Sequence, residues 1–444
     1  MESSSSTALP NQVVETYRRQ EKRARIAGIN IPPRAHCGSP AADPNWRDWA
    51  NLIAGPAGLI AERVLAIDVA DYLRFRAVCR SWHRCTASPH AHGGLDRRFH
   101  PRRWIMLPRT LGVLRKRRDF MNVSTGERIQ VDLPELRCQY VLGTTSDGLI
   151  VLCDKRTDAV NLLNPLTGQL TGLPSVTTLL DMPSSQWRIR RSRLKYLQVL
   201  GAGLADETTV AFHLGPTALV IAKPGDEGWT PWRFDHRNAI VATLSFAGRF
   251  YCVTENAIMV VDTNTDQRPP QLSLVAELSD WDFKWHDKTV KLVDNDGELL
   301  LVHGIRPGKD HYHPLQEGYE VHRVDLDAGK TVPMQGLGGR ALFAGHGPVL
   351  SVPAGLSPHV HAETVYSCRD HGELDDRPMI IEPYNVLYGY YQRNIDDVQA
   401  CSVVDYISRY VCLSKIIVRP RLRSHRQALQ PHVRLSSINP SAKR

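Results

Sequence analysis

The chain has 444 residues, 42% of them hydrophobic and 23% charged, with 55 Lys/Arg against 46 Asp/Glu for a formal net charge of +9. That length predicts two or three domains, and the apolar content excludes wholesale disorder. No window approaches the roughly 18–20 continuous apolar residues of a membrane helix, and the Ser-rich start has no apolar export core, so a soluble intracellular protein is expected.

Residues 1–45 read as a disordered N-terminal segment, running from Ser3–Ser6 through a charged stretch to Ile31-Pro32-Pro33 and Ser39-Pro40. The run Arg18-Arg19-Gln20-Glu21-Lys22-Arg23 fits a nuclear address, so nucleus, cytoplasm or both is the expected location.

From 46 to 86 the pattern turns helical. Leu59, Ile60, Val64 and Ile67 share one face at 3.6-residue spacing, while Ala61 and Leu65 lie on another side. Apolar surface on two sides suits a helix held between its own core and a partner. Asp68 is placed to cap a second helix, and Asp71 adds favourable charge in its first turn. Along that helix Tyr72, Phe75, Cys79 and Trp82 recur at spacings of three, four and three, with Arg74, Arg76, Arg80 and Arg84 on the polar side; Pro89 and Gly93-Gly94 close the helical region. About 40 residues make only a small core, so this unit needs a neighbour.

Residues 87–103 read as a basic linker. The wider stretch Arg97 to Arg118 holds nine Lys/Arg and no acid, Arg188 to Lys195 holds five, and the tail 413–444 holds eight. The remainder is therefore net acidic. Solvated loops account for such runs more readily than nucleic-acid binding, since no recognition motif accompanies them.

From 104 to 412 short strands dominate. Asp147-Gly148 precedes Leu149–Cys153 and then Val160–Leu163; Ala247-Gly248 precedes Phe250–Val253 and then Ile258–Val261; Asp296-Gly297 precedes Leu299–Val302, with Tyr319–Val324 as a later partner. The starts at 147, 247 and 296 fit a period near 50 with one start unmarked, and Thr208–Ala222 is the irregular unit that fills it. Six or seven such units closing into a β-propeller is the simplest all-β fold behind the small all-α domain, because radial closure leaves only short sheet edges. An irregular pair of β-sandwiches is the alternative.

Known catalytic and metal patterns fail on inspection. Gly329-Lys330-Thr331 lacks the earlier glycine of a phosphate loop, since position 324 is Val324, and no G-x-S-x-G occurs. His311 and His313, with His303 and His322 nearby in sequence, match no ligand spacing. Asp294-Asn295-Asp296-Gly297 begins like a calcium loop, but its twelfth position is Ile305, so a hairpin turn is the better account. Nine cysteines, an odd number with no C-x-x-C pair, read as free thiols. Hence no catalytic, metal or cofactor residue is assigned.

Gly58–Leu65 followed by Arg74-Phe75-Arg76-Ala77-Val78-Cys79-Arg80-Ser81-Trp82 resembles an F-box, and the Val-Cys-Arg-x-Trp ending is its most specific part. Leu95–Trp104, Gly339–Phe343 and Val349–Val352 are similar to plant F-box proteins with a KIB-type β-propeller. The likeness runs from about 46 to 370 and departs at Ile53, where the F-box usually has proline after leucine. The resemblance implies a non-catalytic substrate receptor of an SCF-type ubiquitin ligase. Its F-box would bind the adaptor, and through it a cullin–RING ligase, while the propeller holds an unidentified target protein. The adaptor-facing residues so implied are Leu52, Leu59, Ile60, Val64, Leu65, Val78, Cys79 and Trp82. Two other readings stay open: an interaction scaffold that no longer recruits the ligase, and nucleic-acid binding through the basic stretches.

Overall fold

The computed structural model describes residues 52–91, 93–107, 117–179, 199–214, 218–233, 239–263, 270–278, 290–305, 318–345, 347–369, 380–391 and 403–412. The expected N-terminal segment, the run 188–195, His311, His313 and the tail 413–444 lie outside them.

Three helices come first: α1 (Ala54–Ile67), α2 (Val69–Ala77) and the short α3 (Arg80–Arg84). Ile53 stands at the N-cap of α1 with φ −55, inside the range proline would impose, so the missing proline leaves the helix start unchanged. Pro56 falls in the first turn, where its absent N–H has no intrahelical partner to lose. Asp68 caps α2 as its position predicts, accepting from Ala70 N at 2.6 Å. The expected single second helix is broken instead. Cys79 is extended at φ −154, ψ 166, and its sulfur accepts from Trp82 N at 3.5 Å, which starts α3 afresh.

The strands form six sheets. The first has three strands, β1 (Trp104–Met106), β2 (Arg117–Asn122) and β3 (Arg128–Asp132). Next come β4 (Gln139–Thr144), β5 (Ile150–Asp154), β6 (Ala159–Leu163) and β7 (Leu170–Ser175). The third holds β8 (Gly201–Leu204), β9 (Val210–His213), β10 (Ala218–Ala222) and β11 (Thr230–Arg233), which is the unit with no Asp-Gly marker. The fourth is β12 (Ala242–Phe246), β13 (Arg249–Val253), β14 (Ala257–Asp262) and β15 (Gln271–Glu277). The fifth is β16 (Val290–Asp294), β17 (Leu299–Ile305), β18 (Gly318–Asp325) and β19 (Lys330–Pro333). All four of these are antiparallel meanders.

The sixth sheet contains β20 (Arg340–Ala344), β21 (Leu350–Pro353), β22 (Thr364–Arg369), β23 (Ile380–Asn385) and β24 (Tyr390–Tyr391). Its order is β21-β20-β22-β23-β24, with β20 and β22 parallel. A last helix, α4 (Val403–Cys412), follows.

Six apolar clusters join these sheets in sequence, and the sixth closes the ring. It brings Ile105 and Met121 of the first sheet together with Phe343 and Tyr366 of the last, and Val404, Ile407 and Val411 of α4 belong to the same cluster. Tyr410 of α4 reaches Thr144 Oγ1 at 3.0 Å, and Arg128 of β3 donates to the Tyr406 hydroxyl at 3.0 Å. The fold is a six-bladed β-propeller preceded by helices. Strands β9 and β17 read as continuous apolar runs because each is covered on both sides by neighbouring sheets.

Segment 87–103, expected as a linker, is packed. Phe99 is 1% exposed and its carbonyl accepts from Asn164 Nδ2 at 2.7 Å. Residues 97–102 lie over the turns 145–148 and 247–248, each of which joins the first and second strands of its sheet. Because β4, β8, β12 and β16 neighbour one another around the ring, those turns rim one end of the central channel. Gly148 holds φ +85, and a Cβ there would strike the Pro101 carbonyl, so only glycine lets the strap sit this close. Arg97 lies across Gly248 in the same way. Asp147 faces the strap's basic side chains: Arg102 Nε at 3.5 Å, His100 Nδ1 at 3.6 Å and Arg97 Nε at 3.9 Å.

Candidate functional site

The helical unit presents two apolar surfaces, as its sequence predicts. Ala57, Ala61 and Leu65 of α1 are buried, and Ala61 and Leu65 meet Val69, Tyr72 and Phe99 in one cluster. The opposite side of α1 is open. Ile53 is 76% exposed, Leu59 69% and Ile67 62%, with Ile60 beside them, and Val78 at the end of α2 is 62% exposed. Large aliphatics at that exposure make this side of the unit a candidate docking surface.

The predicted residues divide accordingly. Leu59 and Ile60 stand on the open side of α1, and Val78 is exposed just after α2. Leu52 and Val64 are half-buried, and Val64 packs against the internal cluster. Trp82 is half-buried and stacks on Phe75, with ring centroids 4.2 Å apart and planes at 19°. Cys79 serves as the α3 cap. Leu65 is 6% exposed and inward-facing, so it supports the face from below rather than forming it. A carboxylate placed there would disrupt the helical core whatever it did to docking. Two members were missed. Ile67 shows the right periodicity, but Ile53 reads in sequence only as a lost proline, although it is the most exposed of the group.

Polar latches hold the three helices in register. Arg76 is buried and donates to Thr86 O, Thr86 Oγ1 and Ala87 O at 2.6, 2.7 and 2.5 Å, and the Tyr72 hydroxyl donates to Ala87 O at 2.7 Å. Burial, reinforced by the Arg76 charge, pushes the His83 imidazole below its ordinary pKa, which favours the neutral ring beside that guanidinium.

The unit is also tied to the propeller. The Asp68 carboxylate that caps α2 accepts from Trp104 Nε1 at 3.0 Å and Asn122 Nδ2 at 2.6 Å, joining β1 and β2 to the helices. Arg74 pairs with Asp71 at 2.6 Å and with Glu127 in the β2–β3 turn. Burial opposes the Arg74 charge, but both carboxylates outweigh it and raise its pKa.

Several described arginines of the 97–118 stretch have acidic or backbone partners: Arg98 meets Asp96 at 2.8 Å, Arg117 meets Asp132 at 3.3 Å, and buried Arg118 donates to the Arg117 carbonyl, while Arg103 is exposed. Those charges serve the fold rather than an open basic surface. Beside the strap, a cavity of about 720 Å³ opens between 95–98 and the turns at 205–208 and 247–249. Its Asp206 accepts from Thr208 N, Thr208 Oγ1 and Thr209 N. Burial pushes that carboxyl up, but hydrogen bonds from Thr263, Thr209 and Thr208 win and hold it at about 2, a fixed turn anion rather than a proton donor. Among the described residues no group of three His, Cys, Asp or Glu side chains is placed to hold a metal ion, and no helix is long and apolar enough to cross a membrane.

Comparison with known proteins gives three results. The family profile described as KIB1-4 beta-propeller matches residues 120–392. An F-box/kelch-repeat protein of Arabidopsis thaliana is 22% identical over 317 residues, covering 66% of this chain and 76% of its own. Solved structures with low overall similarity include the Swd1 beta-propeller domain of Myceliophteria thermophila (12% identity, TM-score 0.33, 64% of this chain and 84% of that one). Another is virginiamycin B lyase of Staphylococcus aureus (10% identity, TM-score 0.27, 57% and 83%).

Proposed function

Since the chain belongs to the KIB1-4 beta-propeller family, we propose that it is the substrate-receptor subunit of an SCF-type ubiquitin ligase, acting in the nucleus, the cytoplasm or both. The observation that carries this reading is the set of exposed aliphatic side chains Ile53, Leu59, Ile60, Ile67 and Val78 on a helical unit whose other side is buried. The resemblance to a plant F-box protein supports it. In this reading the helical unit docks on the adaptor and so on a cullin–RING assembly, while the propeller holds the protein to be modified. The chain transfers nothing itself. It raises the local concentration of target lysines near a charged conjugating enzyme.

The test is co-purification of the full chain with a plant SCF adaptor and cullin. Leu59→Asp with Ile67→Asp should abolish recovery while thermal unfolding stays near wild type, because both side chains point to water. Undiminished recovery of the folded double variant would remove this face from the interaction. Absence of recovery with wild type would favour a scaffold outside the ligase.

A further inference from the structure

The cavity beside the strap holds a cation that the fold leaves incompletely paired. Arg97 lines it together with the turns 205–208 and 247–249. Its side chain is 24% exposed, and among the described residues none accepts a hydrogen bond from its guanidinium. The Asp147 carboxylate stands 3.9 Å from its Nε, a charge contact beyond hydrogen-bond reach, and is shared with Arg102 and His100. Burial pulls the Arg97 pKa below the usual arginine range; Asp147 opposes that shift and Arg102 adds to it. The other arginines of the wall are engaged. Arg98 closes on Asp96 through Nε at 3.1 Å and Nη2 at 2.8 Å, and Arg249 donates to the Tyr251 hydroxyl. Asp206 is occupied by the N–H groups of its own turn, whereas Glu207 is exposed at the rim and Asp262 is half-buried below it.

Building on the receptor reading, we propose that this cavity captures the C-terminal carboxylate of the target protein, with a basic side chain just upstream of it facing Glu207 and Asp262. A carboxylate offers two oxygens to the planar fork of N–H donors that Arg97 leaves unused. The wall carries three arginines and four carboxylates, so a doubly charged phosphate would meet net repulsion. A single carboxylate with a cation beside it brings both signs of charge to a wall that has both. Leu95 and Val261 are the large apolar side chains of the wall, too few for the largely apolar enclosure that a drug-sized small molecule takes. A chain end enters from the cavity side, so Arg97 stays seated over Gly248.

Fluorescence anisotropy of the full-length protein with an N-terminally labelled Gly-Ser-Gly-Ser-Lys-Gly peptide tests this. No adaptor is present, so failure here and failure of the ligase reading are separate results. Saturable binding is expected, weakened about tenfold or more when the C-terminus is amidated. Arg97→Gln should weaken the free-acid peptide to the level of the amide. The amide comparison uses wild type alone, so it decides even where that variant fails to fold. Replacing the peptide's lysine with glutamate should weaken binding about threefold or more, because like charges then meet at the rim. Equal binding of acid and amide would overturn the proposal, as would no saturable binding at millimolar peptide or undiminished binding by folded Arg97→Gln. Displacement by N-acetylglycine at the peptide's own affinity would also overturn it, by assigning the site to a small free acid.

Discussion

Asp68 is where the helical unit and the propeller share one side chain, and replacing it should cost more than any ordinary helix cap. In Asp68→Ala three donors lose their acceptor at once: Ala70 N, Trp104 Nε1 and Asn122 Nδ2. Asp68 and Trp104 are 8% and 3% exposed and Asn122 is 3% exposed, so water replaces the carboxylate poorly. Loss of the cap costs about 1 kcal/mol, and each buried donor left without a partner costs about 1–3 kcal/mol. With partial relaxation the total should be about 3–5 kcal/mol. Asp68→Asn keeps one acceptor oxygen and the shape, but turns an amide N–H₂ towards two other donors; about half that loss is expected. Urea unfolding followed by tryptophan fluorescence measures both, provided the slope is unchanged between variants. A Trp104→Phe cycle then isolates the shared bond, with a coupling of about 1 kcal/mol or more. A loss below about 1 kcal/mol for Asp68→Ala would show that the carboxylate works as a surface cap only, and would refute the shared-anchor argument.

Three further outcomes follow from the same geometry. Leu65→Asp should unfold the helical unit, seen as lost helical dichroism, because a carboxylate would enter the cluster of Ala61, Val69, Tyr72 and Phe99. Ile407→Ala, at a fully buried site in the ring closure, should cost about 2–5 kcal/mol in the same urea assay. Asp147 should make wild type acid-sensitive. Burial favours its neutral form, but His100, Arg102 and Arg97 together win and depress its pKa. Its stabilising contribution is therefore present above the unfolded carboxyl value of about 3.9 and disappears as pH falls through the lower folded value. The stability gap between wild type and Asp147→Asn should close on acidification below about pH 4, and a gap independent of pH would refute it.

The helix spacing of Leu59, Ile60 and Ile67 was legible in the sequence, as was the Asp68 cap, because both depend on residues within one or two turns. The propeller was legible through its Asp-Gly and Ala-Gly turns. Each marks the join between first and second strands, so the first strands β4, β12 and β16 fall before the signal rather than after it. The third sheet has a Glu207-Thr208 turn in place of glycine, which is why its start was unmarked. The inward orientation of Leu65 and the docking of 97–102 were hidden for another reason. Both are decided by long-range partners, Phe99 in one case and the Asp147 and Gly248 turns in the other. Local charge cannot distinguish a solvated arginine from one laid on a turn forty-five or more residues away.

The strap bears on how a receptor of this kind would work. A flexible connection lets a target wander, so the effective concentration of its lysines falls with the length of the connecting chain. Here the segment between the helices and β1 is packed, with Leu95, Phe99, His100 and Trp104 buried and Arg97 and Arg102 set on Asp147. Asp68 and Arg74 add two more ties from the helices themselves. Helices and propeller are therefore tied at several points, and the chain's own Pro101 and Arg97 lie over the turns 145–148 and 247–248 that rim one channel end. A target approaching those turns would have to displace Pro101 and Arg97, which lie on them. Docking on the outer edge of a blade would require no such displacement.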